Sequence, residues 1–352
     1  MLRDLLSIFD DRADGLRRKT AGIYVLLVAA NVGAWLWAVV AFWPSAELLG
    51  IAVAAYGLGL RHAVDADHIA AIDNVTRTMM QGGQRPAAVG LFFSLGHSTV
   101  VVLGSAAVAA TAVTFKDRFD AFAHAGGVIG TAISAAFLLL IAALNLVILL
   151  NVRSAFLRLT EGRHGEQGQL LSVAAPGGAL ARVFRAAFGL VRRSWHMYPL
   201  GLLFGLGFDT ASEVGLLGIA AAQAGHGMSM WSTLVFPALF TAGMSLVDTT
   251  DGLLMLRAYG WAFVNPIRKL YYNMTITFLS VLVAVLLGGI EVLGLVGERL
   301  GFDGAFWHGM DTLRGNFGAI GYLVIAVFVA TWVISAAIYR LRGYERLRVG
   351  TG

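Results

Sequence analysis

Cysteine is absent from the 352-residue chain, which excludes disulfides, thiolate metal sites and cysteine nucleophiles. Charge is scarce too: Asp, Glu, Lys and Arg together make 13%, against about 25% in soluble domains. No G-x-x-x-x-G-K-[ST] occurs, so the chain carries no P-loop ATPase of its own, and no H-E-x-x-H metalloprotease pair is found. Eight histidines without repeated H-x-x-H boxes fit a di-iron membrane enzyme poorly.

What fills the space is apolar: 58% hydrophobic residues and 43 glycines, small enough to let membrane helices approach closely. Runs long enough to cross a bilayer, about 20 residues each, fall near 21–43, 48–72, 87–111, 125–150, 198–222, 232–256, 270–290 and 317–339. The expected fold is therefore all-α, a polytopic bundle of eight transmembrane helices forming a single domain over 1–352. Residues 1–20 are charged throughout and the apolar run after them is too long for a signal peptide, so it is expected to persist as a span.

Of the 26 lysines and arginines, 21 lie in the N-terminal arm, alternate links and the C-terminal tail. The positive-inside bias then puts both termini in the cytoplasm. The net charge of +5 thus reads as topology and contact with anionic lipid, not as nucleic-acid binding. In the long link 151–197, Leu180, Val183, Phe184, Ala187, Phe188, Val191 and Trp195 recur at helical spacing opposite four arginines, which predicts an interfacial amphipathic helix.

Ionisable residues inside spans cost roughly 2.5–3.5 kcal/mol each on insertion scales and normally face a pathway or a partner. Here they gather in four stretches: "RHAVDADH" (61–68), "SLGHST" (94–99), "LGFDTASEV" (206–214) and "GMSLVDTTDG" (243–252). His62, Asp65, Asp67, His68, His97, Asp209, Glu213, Asp248 and Asp251 are the candidate metal-site residues. His62, Asp65 and His68 share one helical face, yet a regular helix separates the two histidines by about 9 Å, too far for one metal. A broken helix, with Gly57 and Gly59 as candidates, would join them. The reading preferred on spacing keeps the helix regular, pairs Asp65 with His68, and leaves Asp67 and one histidine to orient them.

The stretches also echo. "GLGLRHAVDADH" begins at Gly57 and "GLGFDTASEV" at Gly205; the glycines of "LGHSTVV" and "AGMSLVD" follow at 96 and 243, intervals of 39 and 38 residues. That suggests an inverted-topology repeat relating spans two and three to spans five and six, a plan common in secondary transporters. Imidazole plus carboxylate without thiolate favours a borderline divalent ion among Ni²⁺, Co²⁺, Zn²⁺, Fe²⁺ and Mn²⁺.

"RHAVDADHI", "FSLGHSTVV", "LGFDTASEV" and "GMSLVDTTDG", in this order, resemble the signature motifs of the nickel/cobalt transporter family of bacterial and fungal permeases. The resemblance implies a secondary transporter in the cell membrane that imports Ni²⁺ or Co²⁺ as cargo, with no cofactor and no enzymatic activity. It implies that His62, Asp65, Asp67 and His68 are essential for transport. Ser212 stands where threonine is common and keeps the hydroxyl. The long link has only His164 and His196, unlike the histidine-rich loop frequent in the efflux branch, which favours import. Export, a zinc or manganese cargo, and an intramembrane metalloenzyme are the alternatives. A homo-oligomer is neither required nor excluded.

Overall fold

The computed structural model describes residues 9–11, 15–111, 128–143, 145–147, 149–150, 191–206, 211–262 and 266–341. All regular structure among them is helical. In chain order the helices are α1 (Leu16–Phe42), α2 (Ala46–His62), α3 (Ala66–Gln81), α4 (Val89–Thr111), α5 (Val128–Val147), α6 (Met197–Gly205), α7 (Ala211–Gly225), α8 (Met230–Thr233), α9 (Val235–Ala262), α10 (Pro266–Leu300), α11 (Ala305–Gly315) and α12 (Phe317–Leu341).

Five stretches are long and apolar enough to cross a membrane by themselves: α1, α4, α5, α8 with α9, and α10. Two bent pairs, α2 with α3 at 51° and α11 with α12 at 72°, raise the number to seven. The expected fifth span, 198–222, falls on α6 and α7, on either side of residues 207–210, which are outside the description. At 35 residues, α10 is longer than its expected 270–290, about 52 Å at helical rise. The amphipathic helix expected over 180–195 lies mostly outside the described residues; of that stretch only 191–195 is seen, and it ends in a short 3₁₀ turn, Ser194–His196.

Burial is inverted relative to a water-soluble bundle. Val28, Leu36 and Val40 of α1, Leu103 of α4, Leu254 of α9 and Leu286 of α10 are exposed, as a lipid-facing surface requires. Meanwhile His62, Asp65, His68, His97, Glu213 and Asp248 are buried. The apolar residues that α1 buries, Ile23, Leu27, Ala34, Ala38 and Phe42, form a single stripe at helical spacing that Lys19 and Thr20 continue at its start. The molecule is an integral membrane protein.

Two helix pairs form the centre, each drawn together by glycine. A Cβ on Gly59 of α2 would overlap the Phe240 carbonyl oxygen of α9, and one on Gly243 of α9 would meet Tyr56 O at 3.0 Å. In the same way Gly96 of α4 and Gly201 of α6 let those helices touch backbone to backbone, the close approach that small residues permit in membranes.

At one end, three segments meet. Asp11 accepts hydrogen bonds from the backbone N–H and the hydroxyl of Ser194, its carbonyl accepts from Arg85 N at 2.8 Å, and Gln84 Nε2 donates to Arg192 O at 3.0 Å. The N-terminal arm, the α3–α4 link and the segment before α6 are therefore on the same side, as their shared positive charge anticipates.

Candidate metal centre

The α2–α3 break is where the site begins. α2 runs through Gly57 and Gly59 to His62, and the chain turns over Ala63, Val64 and Asp65 before α3 starts at Ala66. The expected regular helix, and a break at the glycines, are both corrected: Gly59 serves close packing and residues 63–65 make the bend. The bend brings His62 and His68 to a ring-centroid distance of 4.7 Å, where a straight helix would hold them about 9 Å apart along its axis.

Asp65 is the N-cap residue of α3, with extended backbone, but its side chain makes no capping hydrogen bond. Asp, Ser, Asn and Thr at this position normally bond the N–H of the second or third helical residue. Asp65 Oδ2 lies instead 3.1 Å from His62 Nδ1, which fixes the imidazole with its Nε2 turned away from the carboxylate. The preferred pairing of Asp65 with His68 is corrected accordingly: Asp65 holds His62, and Asp248 of α9 holds His68, with both carboxylate oxygens 3.3 Å from His68 Nδ1. A carboxylate on one ring nitrogen leaves the other free for a metal and raises its basicity.

His97 of α4 enters from the opposite wall. His62 Nε2 and His97 Nε2 are 2.9 Å apart, His97 Nε2 and Glu213 Oε1 are 2.9 Å apart, and His62 Nε2 lies 3.9 Å from Glu213 Oε1. One ring nitrogen of each histidine, His68 included, lies within 4.8 Å of the others. Phe93 and Phe240, both fully buried, pack on His68 and His62 and close the site to water.

The three contacting atoms have the dimensions of a coordination shell. A point midway along the 3.9 Å edge is about 2 Å from His62 Nε2 and Glu213 Oε1 and ~2.1 Å from His97 Nε2, the bond lengths found for borderline divalent ions with N and O ligands. Two neighbouring edges of 2.9 Å and one opposite edge of 3.9 Å describe right-angled donors; tetrahedral donors at such bond lengths would be about 3.3 Å apart. Right-angled N,O sets belong to square-planar, tetragonal or octahedral ions.

Hydrogen bonding alone leaves this arrangement short. His97 Nε2 carries at most one proton and has two neighbours at 2.9 Å. Asp65 Oδ1, Asp67 Oδ1, His68 Nε2 and His97 Nδ1 are buried with no hydrogen-bond partner, each a cost of about 1–3 kcal/mol in the absence of a compensating ligand.

The structure thus gathers His62, Asp65, His68, His97, Glu213 and Asp248 at one place. Asp67, half-buried in the first turn of α3, borders it. Asp251, also half-buried, lies near Asp248 and Asp73, and its Oδ2 has no hydrogen-bond partner. Asp209 lies outside the described residues. Two features escape a reading by motif. Arg61 donates to Ser212 Oγ at 2.5 Å. A second buried network follows along α3: Asp73 accepts from Tyr259 Oη and from Ser280 Oγ at 3.0 Å, while Arg77 donates to Thr277 and Asn74. The presence of Asp73 and Arg77 one and two turns beyond His68 was its only signal.

Residues 48–338 match the family profile described as "High-affinity nickel-transport protein". The chain belongs to this family. It is 55% identical over 329 residues to a "High-affinity nickel transport protein" of Cupriavidus necator, covering 94% of each chain. The "Nickel transporter NixA" of Staphylococcus aureus is 45% identical over 298 residues, 85% of this chain and 87% of that one. The "Cobalt transport protein NhlF" of Rhodococcus rhodochrous is 41% identical over 323 residues, 90% of this chain and 91% of its own. No solved structure matches. Family and relatives are named for transport, which sets aside the intramembrane metalloenzyme.

Proposed function

We propose that the protein is a secondary importer of Ni²⁺ and Co²⁺, and that the ion is taken from its hydration shell by His62, His97 and Glu213 at the centre of the membrane. The observation that carries this reading is the right-angled convergence of His62 Nε2, His97 Nε2 and Glu213 Oε1. His68 supplies a fourth donor, the third nitrogen, as the ion moves, with Asp65 and Asp248 orienting the two imidazoles of the first motif. Asp67, near His68, and Asp251, near Asp248, extend the acidic approach, and Asp209 is assigned to the pathway by its motif alone. Relatives named for nickel and for cobalt support this pair of cargoes; a tetrahedral preference, as for zinc, fits the donor edges less well.

The same proposal includes eight spans, with α6 and α7 together as the fifth, in one domain over 1–352, and a cell-membrane location with both termini and the 151–197 link in the cytoplasm. The inverted repeat draws support from the helix pairing. Exchanging span two with five and three with six turns the α2–α9 contact into the α6–α4 contact, and both are glycine-seated. An inside-negative potential is sufficient to drive uptake: a divalent ion gains about 4.6 kcal/mol per 100 mV, more than a thousandfold accumulation.

The test is uptake of radiolabelled nickel and cobalt by proteoliposomes holding the full chain or a folded His68→Ala variant. Saturable uptake in which the two metals compete, and which the variant lacks, is expected. Outward flux only, or uptake unchanged by the substitution, would refute the assignment.

A further inference from the structure

The metal centre draws its donors from elements far apart in the chain, and Glu213 sits at the start of α7, directly after residues outside the description. What holds this carboxylate in register is therefore a question of contacts made by its immediate neighbours. Ser212, one residue before it, is fully buried. Its hydroxyl accepts from Arg61 Nη1 at 2.5 Å. Arg61 in turn precedes His62, so one guanidinium joins the residue before one donor to the residue before another.

The other face of Arg61 rests on α12. A Cβ added to Gly318 would stand 2.9 Å from Arg61 Nη2 and 3.0 Å from Asp65 Oδ1. One turn on, a Cβ on Gly321 would overlap the Val64 carbonyl and stand 3.3 Å from Ala66 N. The backbone of α12 is thus the floor under the α2–α3 bend, and both the guanidinium and the carboxylate that steadies His62 pass over Gly318, where a Cβ would displace them.

We propose that Arg61, seated on Gly318, is a positioning residue that sets Glu213 Oε1 against His62 and His97 through the Ser212 hydroxyl. The inference rests on the metal-centre reading above. Arginine suits the task because its planar fork presents fixed donors in more than one direction; a lysine is a single point charge on a flexible stem. The arrangement also accounts for serine at 212: any hydroxyl that accepts from Arg61 serves, and an aliphatic side chain there leaves the half-buried guanidinium without this acceptor.

The experiment is equilibrium dialysis of Ni²⁺ against the purified full chain in detergent, with nickel uptake into proteoliposomes measured in parallel. Ser212→Ala is expected to weaken nickel binding about tenfold, the lower end of what residues that orient metal ligands contribute, and to raise KM in step while Vmax stays near the wild type. Ser212→Thr, which restores the hydroxyl, is expected to recover both, and Gly318→Ala to weaken binding as Ser212→Ala does. A simple packing role would lower protein yield without this KM change or its rescue. Wild-type affinity in Ser212→Ala, or equal loss in Ser212→Ala and Ser212→Thr, would overturn the proposal provided that His97→Ala has lost nickel. Nickel bound normally by His97→Ala would instead overturn the metal centre itself. Should Gly318→Ala fail to fold, the two serine variants decide.

Discussion

Replacing Glu213 by glutamine keeps the reach of the side chain and an oxygen able to face His97, but removes the charge. A unit charge about 4 Å from another interacts by roughly 4 kcal/mol at an effective dielectric of 20, and a divalent ion doubles that. Glu213 Oε1 is closer still to the proposed ion position, about 2 Å. The amide dipole and the easier desolvation of a neutral group return part of this. A loss of about 2.7 kcal/mol, a hundredfold in affinity, is a conservative expectation. Glu213→Asp probes geometry instead of charge: one methylene fewer retracts the carboxylate by about 1.5 Å, beyond bonding reach of a point it now approaches to about 2 Å. Both variants should lose nickel binding in equilibrium dialysis while eluting as the wild type in size-exclusion chromatography. Glutamine binding nickel within about threefold of wild type, under 1 kcal/mol, would show that Glu213 is no ligand and that its contact with His97 is only a hydrogen bond.

Asp248→Asn removes the carboxylate that orients His68 and should weaken nickel binding roughly 10–100-fold, read by the same dialysis. An imposed inside-negative potassium diffusion potential should accelerate nickel uptake into proteoliposomes, and collapsing it should slow uptake at once; indifference to potential would argue for obligatory coupling to another ion. Tyr259→Phe takes one of two hydroxyl donors from the buried carboxylate of Asp73 and should cost about 1–3 kcal/mol of stability, seen as a lower unfolding temperature in detergent. Nickel affinity should be unchanged, because Asp73 lies about 7.5 Å along α3 from His68 and touches none of the three proposed donors.

How far the site could be read in advance depends on the residue. The four polar stretches were conspicuous because charge in an apolar span is expensive, and His97, Glu213 and Asp248 were found that way without knowledge of their neighbours. Periodicity presumes a continuous helix and so overstates the distance between His62 and His68, and nothing in "HAVDADH" announces that Val64 and Asp65 leave it. Asp65 looked like a partner for His68 on that presumption; once the chain bends, its carboxylate faces back to His62. Asp209 and Glu213 share a helical face by spacing, but only Glu213 is among the described residues. Asp248 and Asp251 share a helical face by spacing, and of the two it is Asp248 that meets His68.

That the chain is helical and crosses a membrane several times was written in local composition, since hydrocarbon solvates apolar side chains whatever their tertiary contacts. The choice of chemistry was written there too, through histidine and carboxylate without thiol. Which atoms converge, and at what angle, was decided only by packing. The bend at 63–65 lies against Gly318 and Gly321 of α12, some 250 residues away in sequence, and coordination geometry changes over a few tenths of an ångström, a precision that spacing along one helix does not contain.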